Sequence, residues 1–240
     1  MVLSTISPRR LRPTAITSLL LMSAITTSAL AGSIAERKNQ VRALTGDRLK
    51  ALTSSFISEK STVVRQLLTE QEEFNKLSVV CIYLSMPQEV QTFSIIKYLL
   101  EKQKTVYIPK IIGKKHTDMV MYRLQNYEEI ESFPKNKWGI PEPPIADLLT
   151  INKDEYFNTI DGIIVPAVAF DKNCGRVGHG KGYYDYFIDS INNSNSRNGR
   201  KPPVTIGVGF DEQIYDEVPM DENDQILDIV VTPSSLYKKL

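Results

Sequence analysis

The chain has 240 residues, and its 29 Lys and Arg nearly balance its 28 Asp and Glu. This length supports one sizeable α/β domain, and the balanced charge, with no basic stripe carrying interleaved aromatic residues, argues against nucleic-acid binding and favours a small-molecule site. Two cysteines are too few for a disulfide framework, so a disulfide-stapled secreted domain is excluded and a reducing compartment fits.

The N-terminal segment has the composition of a targeting sequence. Residues 1–35 contain no Asp or Glu, and three arginines fall within positions 9–12 among many Ser and Thr. This is typical of a mitochondrial presequence; the apolar run 15–31 also fits a secretory signal, and an unprocessed disordered extension of a cytoplasmic protein is a third alternative. That run is short and rich in Thr and Ser, which argues against a membrane-spanning helix. We rank the mitochondrial presequence first, the extension second and the secretory signal last, and we place residues 1–32 outside a single domain that spans residues 33–240.

The first predicted helix covers Ser33 to Leu44. Ser33 suits the N-cap position and Glu36 follows three residues later, which is the pattern of a capping box. Lys38 and Arg42 are four residues apart, so they lie on one face of this helix. From the residues alone, a solvated basic face is the favoured interpretation of this pair.

A βαβ unit is predicted in the first half of the chain. The run Val79–Leu84 is short and continuously apolar, which is typical of a buried parallel strand. The segment Ser85–Glu89 therefore lies at the carboxyl end of a strand, where open α/β sheets bind ligands. Glu89 is equally explained as an acid that the dipole of the next helix favours. The other elements predicted here are a helix over residues 54–74, a helix over residues 91–102, a strand over residues 105–108 that Pro109 ends, and a weak strand over residues 119–124.

The only tryptophan of the chain, Trp138, lies in the proline-rich stretch 138–143. A single tryptophan in a loop usually anchors packing, and from the residues alone we favour that role. A buried strand over residues 161–165 comes next along the chain.

A glycine-rich loop with basic side chains follows that strand, over residues 171–185. Its four glycines fall within eight positions, and such a loop can turn several backbone N–H groups toward one anion. Arg176 and Lys181 add positive charge, and a helix predicted over residues 183–191 directs its N-terminus to the same anion. Asp185 is placed to hold a metal ion that bridges phosphates. The four glycines are Gly175, Gly178, Gly180 and Gly182.

The alternative interpretation of this loop is a mobile connector, because glycine content alone is weak. Its spacing matches neither the P-loop pattern nor the dinucleotide-binding fingerprint. We expect an exposed position for Cys174, which lies inside the loop, whereas Cys81 lies in an apolar run and belongs to the core.

The last fifty residues combine polar and apolar stretches. Residues 192–201 are polar and are predicted to form a surface loop, and the run 204–208 predicts a strand. Asp224 ends the acidic stretch 221–224, whose simplest interpretation is a surface turn. No internal repeat is evident.

The order Arg-Val-Gly-His-Gly-Lys-Gly-Tyr-Tyr-Asp at residues 176–185, after a buried strand and Pro166, resembles the ATP-binding signature of the 5-formyltetrahydrofolate cyclo-ligase (5,10-methenyltetrahydrofolate synthetase) family. Other motifs similar to that family follow in the expected order over residues 34–240. They are Lys38-Asn39-Gln40-Val41-Arg42, Leu84-Ser85-Met86 with Glu89, Trp138-Gly139-Ile140-Pro141, Phe210 with Gln213-Ile214, and the ending from Pro219 to Pro233. The basic N-terminal segment departs from the family pattern. His179 stands where the family also has arginine, whose fixed charge histidine can lack at neutral pH.

The resemblance implies the ATP-dependent conversion of 5-formyltetrahydrofolate to 5,10-methenyltetrahydrofolate, with release of ADP and phosphate. It implies Arg176 and Lys181 as catalytic residues, and ATP binding by Lys38, Arg42, Arg176, Val177, Gly178, His179, Gly180, Lys181, Gly182, Tyr183 and Tyr184. It implies folate binding by Leu84, Glu89, Trp138, His179, Gly180, Lys181, Gly182 and Tyr183, and Mg²⁺ binding by Asp185 with Asp224.

Apolar strands that alternate with helices predict a three-layer α/β/α domain with a mainly parallel sheet. The resemblance implies the fold shared with ribose-5-phosphate isomerase and glucosamine-6-phosphate deaminase, a topology that periodicity alone does not select. We expect a monomer whose partners are 5-formyltetrahydrofolate and ATP and that binds neither nucleic acid nor membrane.

Two rival functions are weighed against this one. A kinase acting on another small molecule would use the same loop. A folate-binding protein without catalysis would bind 5-formyltetrahydrofolate and leave ATP intact, but Lys181 and Asp185 argue against it.

Overall fold

The computed structural model describes residues 30–137, 139–144 and 153–239. The strands are β1 (Val79–Ile82), β2 (Thr105–Ile111), β3 (Met119–Arg123), β4 (Gly162–Val165), β5 (Ala169–Asp171), β6 (Arg176–Val177), β7 (Val204–Val208), β8 (Ile214–Tyr215), β9 (Ile229–Val231) and β10 (Leu236–Lys238). The helices are α1 (Ile34–Lys50), α2 (Ser54–Thr69), α3 (Glu72–Lys76), α4 (Phe93–Glu101), α5 (Glu129–Ser132), α6 (Lys153–Phe157) and α7 (Tyr183–Arg197), with a 3₁₀ turn at Asp211–Gln213.

Within these ranges, seven strands form a central sheet in the order β10-β9-β7-β4-β1-β2-β3. The neighbours from β9 to β2 pair in parallel, and an antiparallel strand closes each edge. A small second sheet has the order β6-β5-β8. The predicted α/β class with a mainly parallel sheet is confirmed.

Each inner strand is buried on both faces, because its side chains alternate between two cores. In β1, Val80 and Ile82 join the core under α2 and α4, whereas Cys81 joins the core under α6 and α7. In β4, Ile164 joins the core under α2 and α4, and Ile163 joins the core under α6 and α7. Helices therefore cover both faces of the sheet, as a three-layer arrangement requires.

The capping box predicted at the first helix is confirmed. The Ser33 hydroxyl accepts the backbone N–H of Glu36, and the Glu36 carboxylate accepts the backbone N–H of Ser33 at 2.8 Å. The helix is longer than predicted and ends at Lys50, so the face that carries Lys38 and Arg42 is held in a helix of 17 residues.

The single helix predicted over residues 54–74 is wrong, because the chain breaks after Thr69 and forms two helices, α2 and α3. At Gln71 the backbone is extended, with φ −77° and ψ 128°. The side chains of Gln71 and Asn75 donate to the carbonyls of Leu67 and Thr69. These amides satisfy carbonyls that the end of α2 would leave free, so the chain can turn there.

Pro109 does not end its strand, which continues to Ile111. Pairing between β2 and β1 stops at Tyr107, while β3 pairs with β2 as far as Ile111. The carbonyl of Val106 and the N–H of Ile112 bond toward the β3 side. Because successive residues of a strand direct their backbone groups to opposite sides, the nitrogen at position 109 faces the other side, where β1 has ended. The missing N–H of proline therefore costs no ladder bond.

The polar stretch 192–201 is not a loop over its whole length, because α7 continues through Arg197. Side chains support these added turns: Asn193 donates to the Asp189 carboxylate at 3.0 Å, and Arg197 donates to the Asn193 carbonyl at 3.1 Å. Asn195 is buried, and its amide donates to the carbonyl of Lys201 at 3.0 Å. Side-chain hydrogen bonds thus support a helix where hydrophobic periodicity predicts none.

No helix among the described residues is long and apolar enough to span a membrane.

Candidate active site

One large cavity lies where the strand order of the central sheet reverses. From β1 the chain moves outward to β2, whereas from β4 it moves the other way to β7 and β9. Residues after the carboxyl end of β1 and Pro166, after β4, line the cavity, which has a volume of about 830 Å³. Open α/β sheets bind ligands at such a reversal, just beyond the strand ends.

The cavity collects most of the residues predicted for the site. Its lining includes Lys38, Arg42, Leu84, Glu89, Arg176, Val177, Gly178, His179, Gly180, Lys181, Gly182, Tyr183, Tyr184, Asp185 and Asp224. Trp138, also predicted to bind the folate, lies outside the described residues. Four separate parts of the chain, from α1 to the segment before β9, therefore converge on one space.

Asp171 organises the start of the glycine loop. Its carboxylate is buried and accepts the backbone N–H groups of Asn173 at 2.9 Å, Gly175 at 2.8 Å and Val218 at 2.9 Å. These three bonds join the turn after β5 to the segment before the acidic stretch 221–224. The buried charge is compensated by oriented N–H groups, and the loop is fixed at its base.

We expect Asp171→Ala to lower the free energy of unfolding by about 3 kcal/mol or more, because it removes the acceptor of three backbone N–H groups, two of them buried. Urea unfolding monitored by circular dichroism measures the change. Asp216→Ala is the matched control, since it removes a more exposed carboxylate that pairs with Lys172 at 2.7 Å, and its expected cost is at most about 1 kcal/mol. Equal midpoints for the two variants would contradict this account of Asp171.

The loop meets the N-terminus of α7 through two glycines in left-handed backbone conformations. Gly180 has φ +89° and Gly182, the N-cap residue, has φ +69°. No described side chain caps this end of α7. The first backbone N–H groups of α7 are therefore available to an anion in the cavity, as the sequence predicts.

The buried Arg176 and the partly buried Asp185 form an ion pair in the cavity lining. The Arg176 side chain is 3% exposed, and its Nη2 lies 2.6 Å from Oδ1 of Asp185, which is 20% exposed. The same Asp185 oxygen accepts the backbone N–H of Gln225 at 3.2 Å. This pair links β6, α7 and the segment before β9.

Arg42 reaches the glycine loop from α1. Its Nε donates to the carbonyl of Gly178 at 2.8 Å, and a side chain at Gly180 would lie 3.3 Å from the guanidinium. Lys181, in contrast, is exposed and forms no ion pair with the described residues. The loop thus presents one ammonium group that no carboxylate of these residues neutralises.

Lys38 lies between two carboxylates of the acidic stretch. Its Nζ is 2.6 Å from Oδ2 of Asp221 and also contacts Oδ2 of Asp224. Burial alone would lower the pKa of Lys38, but the hydrogen bonds to Asp221 and Asp224 outweigh burial and raise that pKa. The hydrogen bond from Lys38 in turn lowers the pKa of Asp221. The stretch is therefore not the plain surface turn that its composition suggests.

Glu89 faces the cavity from the end of β1. Its Oε2 accepts the backbone N–H of Met86 at 2.8 Å, and its Oε1 lies 3.8 Å from Nε2 of His179. α4 begins at Phe93, four residues later. Glu89 is thus held at the strand end, facing the glycine loop, and is not in the first turn of α4.

Cys174 is buried, which corrects the expectation of an exposed thiol. It packs in the core under α7, with Ile188 and Leu227. Burial raises the pKa of its thiol to about 11, so the thiol stays protonated at neutral pH. Cys81 is buried in the same core, as predicted.

Comparison with known proteins identifies the family. A model of the 5-formyltetrahydrofolate cyclo-ligase family matches residues 34–233. The chain belongs to the 5-formyltetrahydrofolate cyclo-ligase family. The family and its enzymatic class, predicted from the glycine motif and the outer motifs, are confirmed.

Relatives match this cyclo-ligase chain over most of its length. A probable 5-formyltetrahydrofolate cyclo-ligase of Schizosaccharomyces pombe is 37% identical over 208 residues, which are 85% of this chain and 98% of that protein. A mitochondrial 5-formyltetrahydrofolate cyclo-ligase of Arabidopsis thaliana is 27% identical over 85% of this chain and 76% of that protein. The solution structure of the 5,10-methenyltetrahydrofolate synthetase of Aquifex aeolicus superposes with a TM-score of 0.63 at 26% identity, covering 84% of this chain and 92% of that one.

Sequence reasoning missed several residues of the cyclo-ligase cavity. Asp221 contacts Lys38, and Tyr83, His116 and Tyr186 line the cavity wall. The signal for Asp221 was present, because it lies three residues before Asp224 in an acidic stretch. His116 comes from the turn between β2 and β3, and no local pattern connects that turn to the glycine loop.

The carboxylates of the cavity suit a divalent cation that is also bound by phosphates. Among the described residues, no group of three or more His, Cys, Asp or Glu forms a ready metal site. Mg²⁺, however, commonly uses one or two carboxylates together with water and substrate phosphates. Asp185 and Asp224 line the same cavity, so they fit a metal that arrives with a nucleotide.

Proposed function

We propose that this chain converts 5-formyltetrahydrofolate to 5,10-methenyltetrahydrofolate in the described cavity, consuming ATP. The observation that carries the proposal is the joint placement of a cationic glycine loop and Glu89 around one space. At about 830 Å³, the cavity is at the upper end of the range for ligand sites, which is about 300–1,000 Å³. Two co-substrates that react with each other need such a shared space.

The glycine loop is proposed to hold the triphosphate. The N–H groups from Gly178 to Gly182 and the free N-terminus of α7 supply backbone donors, and Lys181 supplies an unpaired ammonium. Arg176 binds the β- and γ-phosphates, and its ion pair with Asp185 fixes the position of the guanidinium. Lys38 and Arg42 approach the nucleotide from α1.

Mg²⁺ is proposed to bind at Asp185 and Asp224, where it would neutralise phosphate charge. Both carboxylates lie at the cavity wall, each beside a cation of the chain. The proposal fits the preference of Mg²⁺ for oxygen ligands.

The folate is proposed to lie toward Glu89 and Leu84. A carboxylate suits the donor edge of a pterin, which offers N–H groups to a bidentate acceptor. The backbone N–H of Met86 donates to the Glu89 carboxylate and holds it in place. His179 to Tyr183 lie between this end and the triphosphate, and Trp138 is proposed to stack on the pterin.

The reaction needs alignment more than a protein nucleophile. In the proposed sequence, the formyl oxygen attacks the γ-phosphorus, the bond to the ADP oxygen breaks, and ADP leaves. N10 of the folate then attacks the activated carbon, phosphate leaves with the former formyl oxygen, and the N10 proton passes to water. Holding the two co-substrates in line can supply about 7–11 kcal/mol of the barrier, and the loop cations stabilise the transferred phosphoryl group.

Incubation of the purified protein with ATP, Mg²⁺ and 5-formyltetrahydrofolate tests the proposal. We expect the absorbance of the methenyl product to rise in step with ADP release, and to stay flat without ATP. ADP release without the chromophore would indicate a kinase. Binding of 5-formyltetrahydrofolate without ADP release would indicate a folate-binding protein.

We further infer the fold family, the start of the domain and the cellular location of the protein. The sheet order and the coverage of both sheet faces support the fold of ribose-5-phosphate isomerase and glucosamine-6-phosphate deaminase. The Ser33 cap supports a domain that begins at residue 33. We infer that residues 33–240 act as a monomer and that a mitochondrial targeting segment over residues 1–32 precedes them. Cytoplasmic location with an unprocessed extension is the alternative, and N-terminal sequencing of protein from isolated mitochondria distinguishes the two.

A further inference from the structure

Three aspartates of the cavity lining differ in how their carboxylate oxygens are bonded. Asp185 and Asp224 each accept hydrogen bonds through one oxygen, and the described residues offer no donor to the other. Asp221 uses both oxygens, because its Oδ1 accepts the backbone N–H of Asn223 at 3.0 Å and its Oδ2 accepts Nζ of Lys38 at 2.6 Å. Asp221 is therefore committed to the protein, whereas the two proposed metal ligands each keep one oxygen for a ligand.

A single ammonium group is shared by two of these carboxylates. Nζ of Lys38 contacts Oδ2 of Asp221 and Oδ2 of Asp224, and the Lys38 side chain is 11% exposed. Within the described ranges, no other Lys or Arg forms an ion pair with either carboxylate. The three groups together carry one net negative charge. An ammonium group has three N–H donors, so Lys38 keeps one for a phosphate oxygen.

The turn that carries both carboxylates is fixed by its own backbone. The N–H of Asp221 donates to Oδ2 of Asp224 at 2.6 Å, and the N–H of Asp224 donates to the carbonyl of Asp221 at 3.1 Å. The preceding Met220 packs against the glycine loop, where a side chain at Gly175 would lie 2.7 Å from its sulfur. The fold therefore sets the positions of the two carboxylates around Lys38.

The cavity as a whole has an excess of acidic side chains. Its described lining contains six Asp and Glu but four Lys and Arg. A triphosphate without a metal is itself strongly negative, so this lining opposes its binding, and a divalent cation reduces that repulsion. Asp221 contributes to the excess at a decisive place, because without its charge Lys38 and Asp224 would form a neutral pair.

We propose that Asp221 is a positioning residue that makes nucleotide binding depend on the divalent cation. It holds Lys38 and shares the ammonium charge, so that Asp224 keeps negative charge for the metal and a metal-free triphosphate is repelled. This rests on the proposed function, and it adds a residue that belongs to neither the proposed nucleotide site nor the proposed metal site.

Titrations with a non-hydrolysable ATP analogue test this role. The Kd of β,γ-imido-ATP is measured by calorimetry in Mg²⁺ and in EDTA for the parent chain, for D221N and for the control E222Q. D221N keeps the shape of the side chain and an oxygen for the N–H of Asn223, and it removes the charge. E222Q removes the charge of the next residue, which lines the cavity and is exposed. Thermal melting confirms that each variant is folded.

We expect the parent chain to bind the analogue more weakly in EDTA than in Mg²⁺. D221N should reduce this ratio of Kd values by about three- to tenfold, because the Kd in EDTA falls and the Kd in Mg²⁺ rises. E222Q should keep the ratio within about twofold of the parent, since an exposed charge is screened. A general loosening of the acidic stretch would raise both Kd values together and leave their ratio unchanged.

A ratio that D221N leaves at the parent value, or that E222Q reduces equally, would overturn the role of Asp221. Equal binding of the analogue by the parent chain with and without Mg²⁺ would overturn it as well. A parent chain that neither binds the analogue nor forms the methenyl product would overturn the proposed function instead, so the two failures are distinguishable.

Discussion

Replacing Lys181 with alanine is expected to lower kcat/KM at least about 100-fold while the protein remains folded, as with other losses of a preorganised charge at a reacting centre. Lys181 is exposed, lines the cavity and forms no ion pair with a described residue. Its ammonium therefore has no structural role among these residues that the substitution would disturb. The methenyl absorbance assay gives the rate, and urea unfolding gives the stability.

Lys172→Ala is the matched control for this loop. Lys172 is also an exposed lysine next to the glycines, but it pairs with Asp216 at 2.7 Å and does not line the cavity. We expect its activity to stay within about twofold of the parent and its stability to change by at most about 1 kcal/mol. Near-parental turnover in Lys181→Ala would remove this lysine from the mechanism.

Replacing Arg176 with methionine is expected to destabilise the fold by about 3–5 kcal/mol and to abolish activity, because it leaves Asp185 partly buried without its partner. The Arg176 guanidinium is 3% exposed, and the distance to the Asp185 carboxylate is 2.6 Å. Urea unfolding and the absorbance assay measure the two effects separately. Lys172→Met, which breaks the more exposed pair to Asp216, is the control and should cost at most about 1 kcal/mol.

A double variant separates the two roles of Arg176. Arg176→Met combined with Asp185→Leu leaves no unpaired charge, so part of the lost stability should return. Activity should not return, since both the guanidinium proposed to bind phosphate and the proposed metal ligand are absent. A stable double variant with restored turnover would show that Arg176 contributes packing alone.

The sequence was informative wherever a local rule decided the structure. Ser33 and Glu36 define a cap, the run Val79–Leu84 defines a buried strand, and the order of residues 176–185 identifies the family before any fold is known. Each of these features depends on neighbours within about ten positions. Their prediction therefore needed no tertiary information.

The contacts that shape the site depend on tertiary structure and were not predictable in this way. Asp171 is simply the first residue of the predicted loop, yet its carboxylate holds a segment 47 residues away through the N–H of Val218. The Asn195 amide donates a hydrogen bond to the carbonyl of Lys201, and this contact supports the added turns of α7. The contact between Tyr183 and Gly113 joins positions 70 residues apart. The hydrophobic periodicity of the sequence does not predict such contacts.

Lys38 and the carboxylates that hold it come from opposite ends of the domain, separated by 183 residues for Asp221 and 186 for Asp224. During synthesis, a growing chain therefore carries the complete glycine motif for some forty residues before Asp224 is added. Because Gln225 also contacts Asp185, the end of the cavity where we propose that the triphosphate binds is assembled last. Nascent chains truncated before residue 221 retain the signature of the family but lack the wall opposite α1.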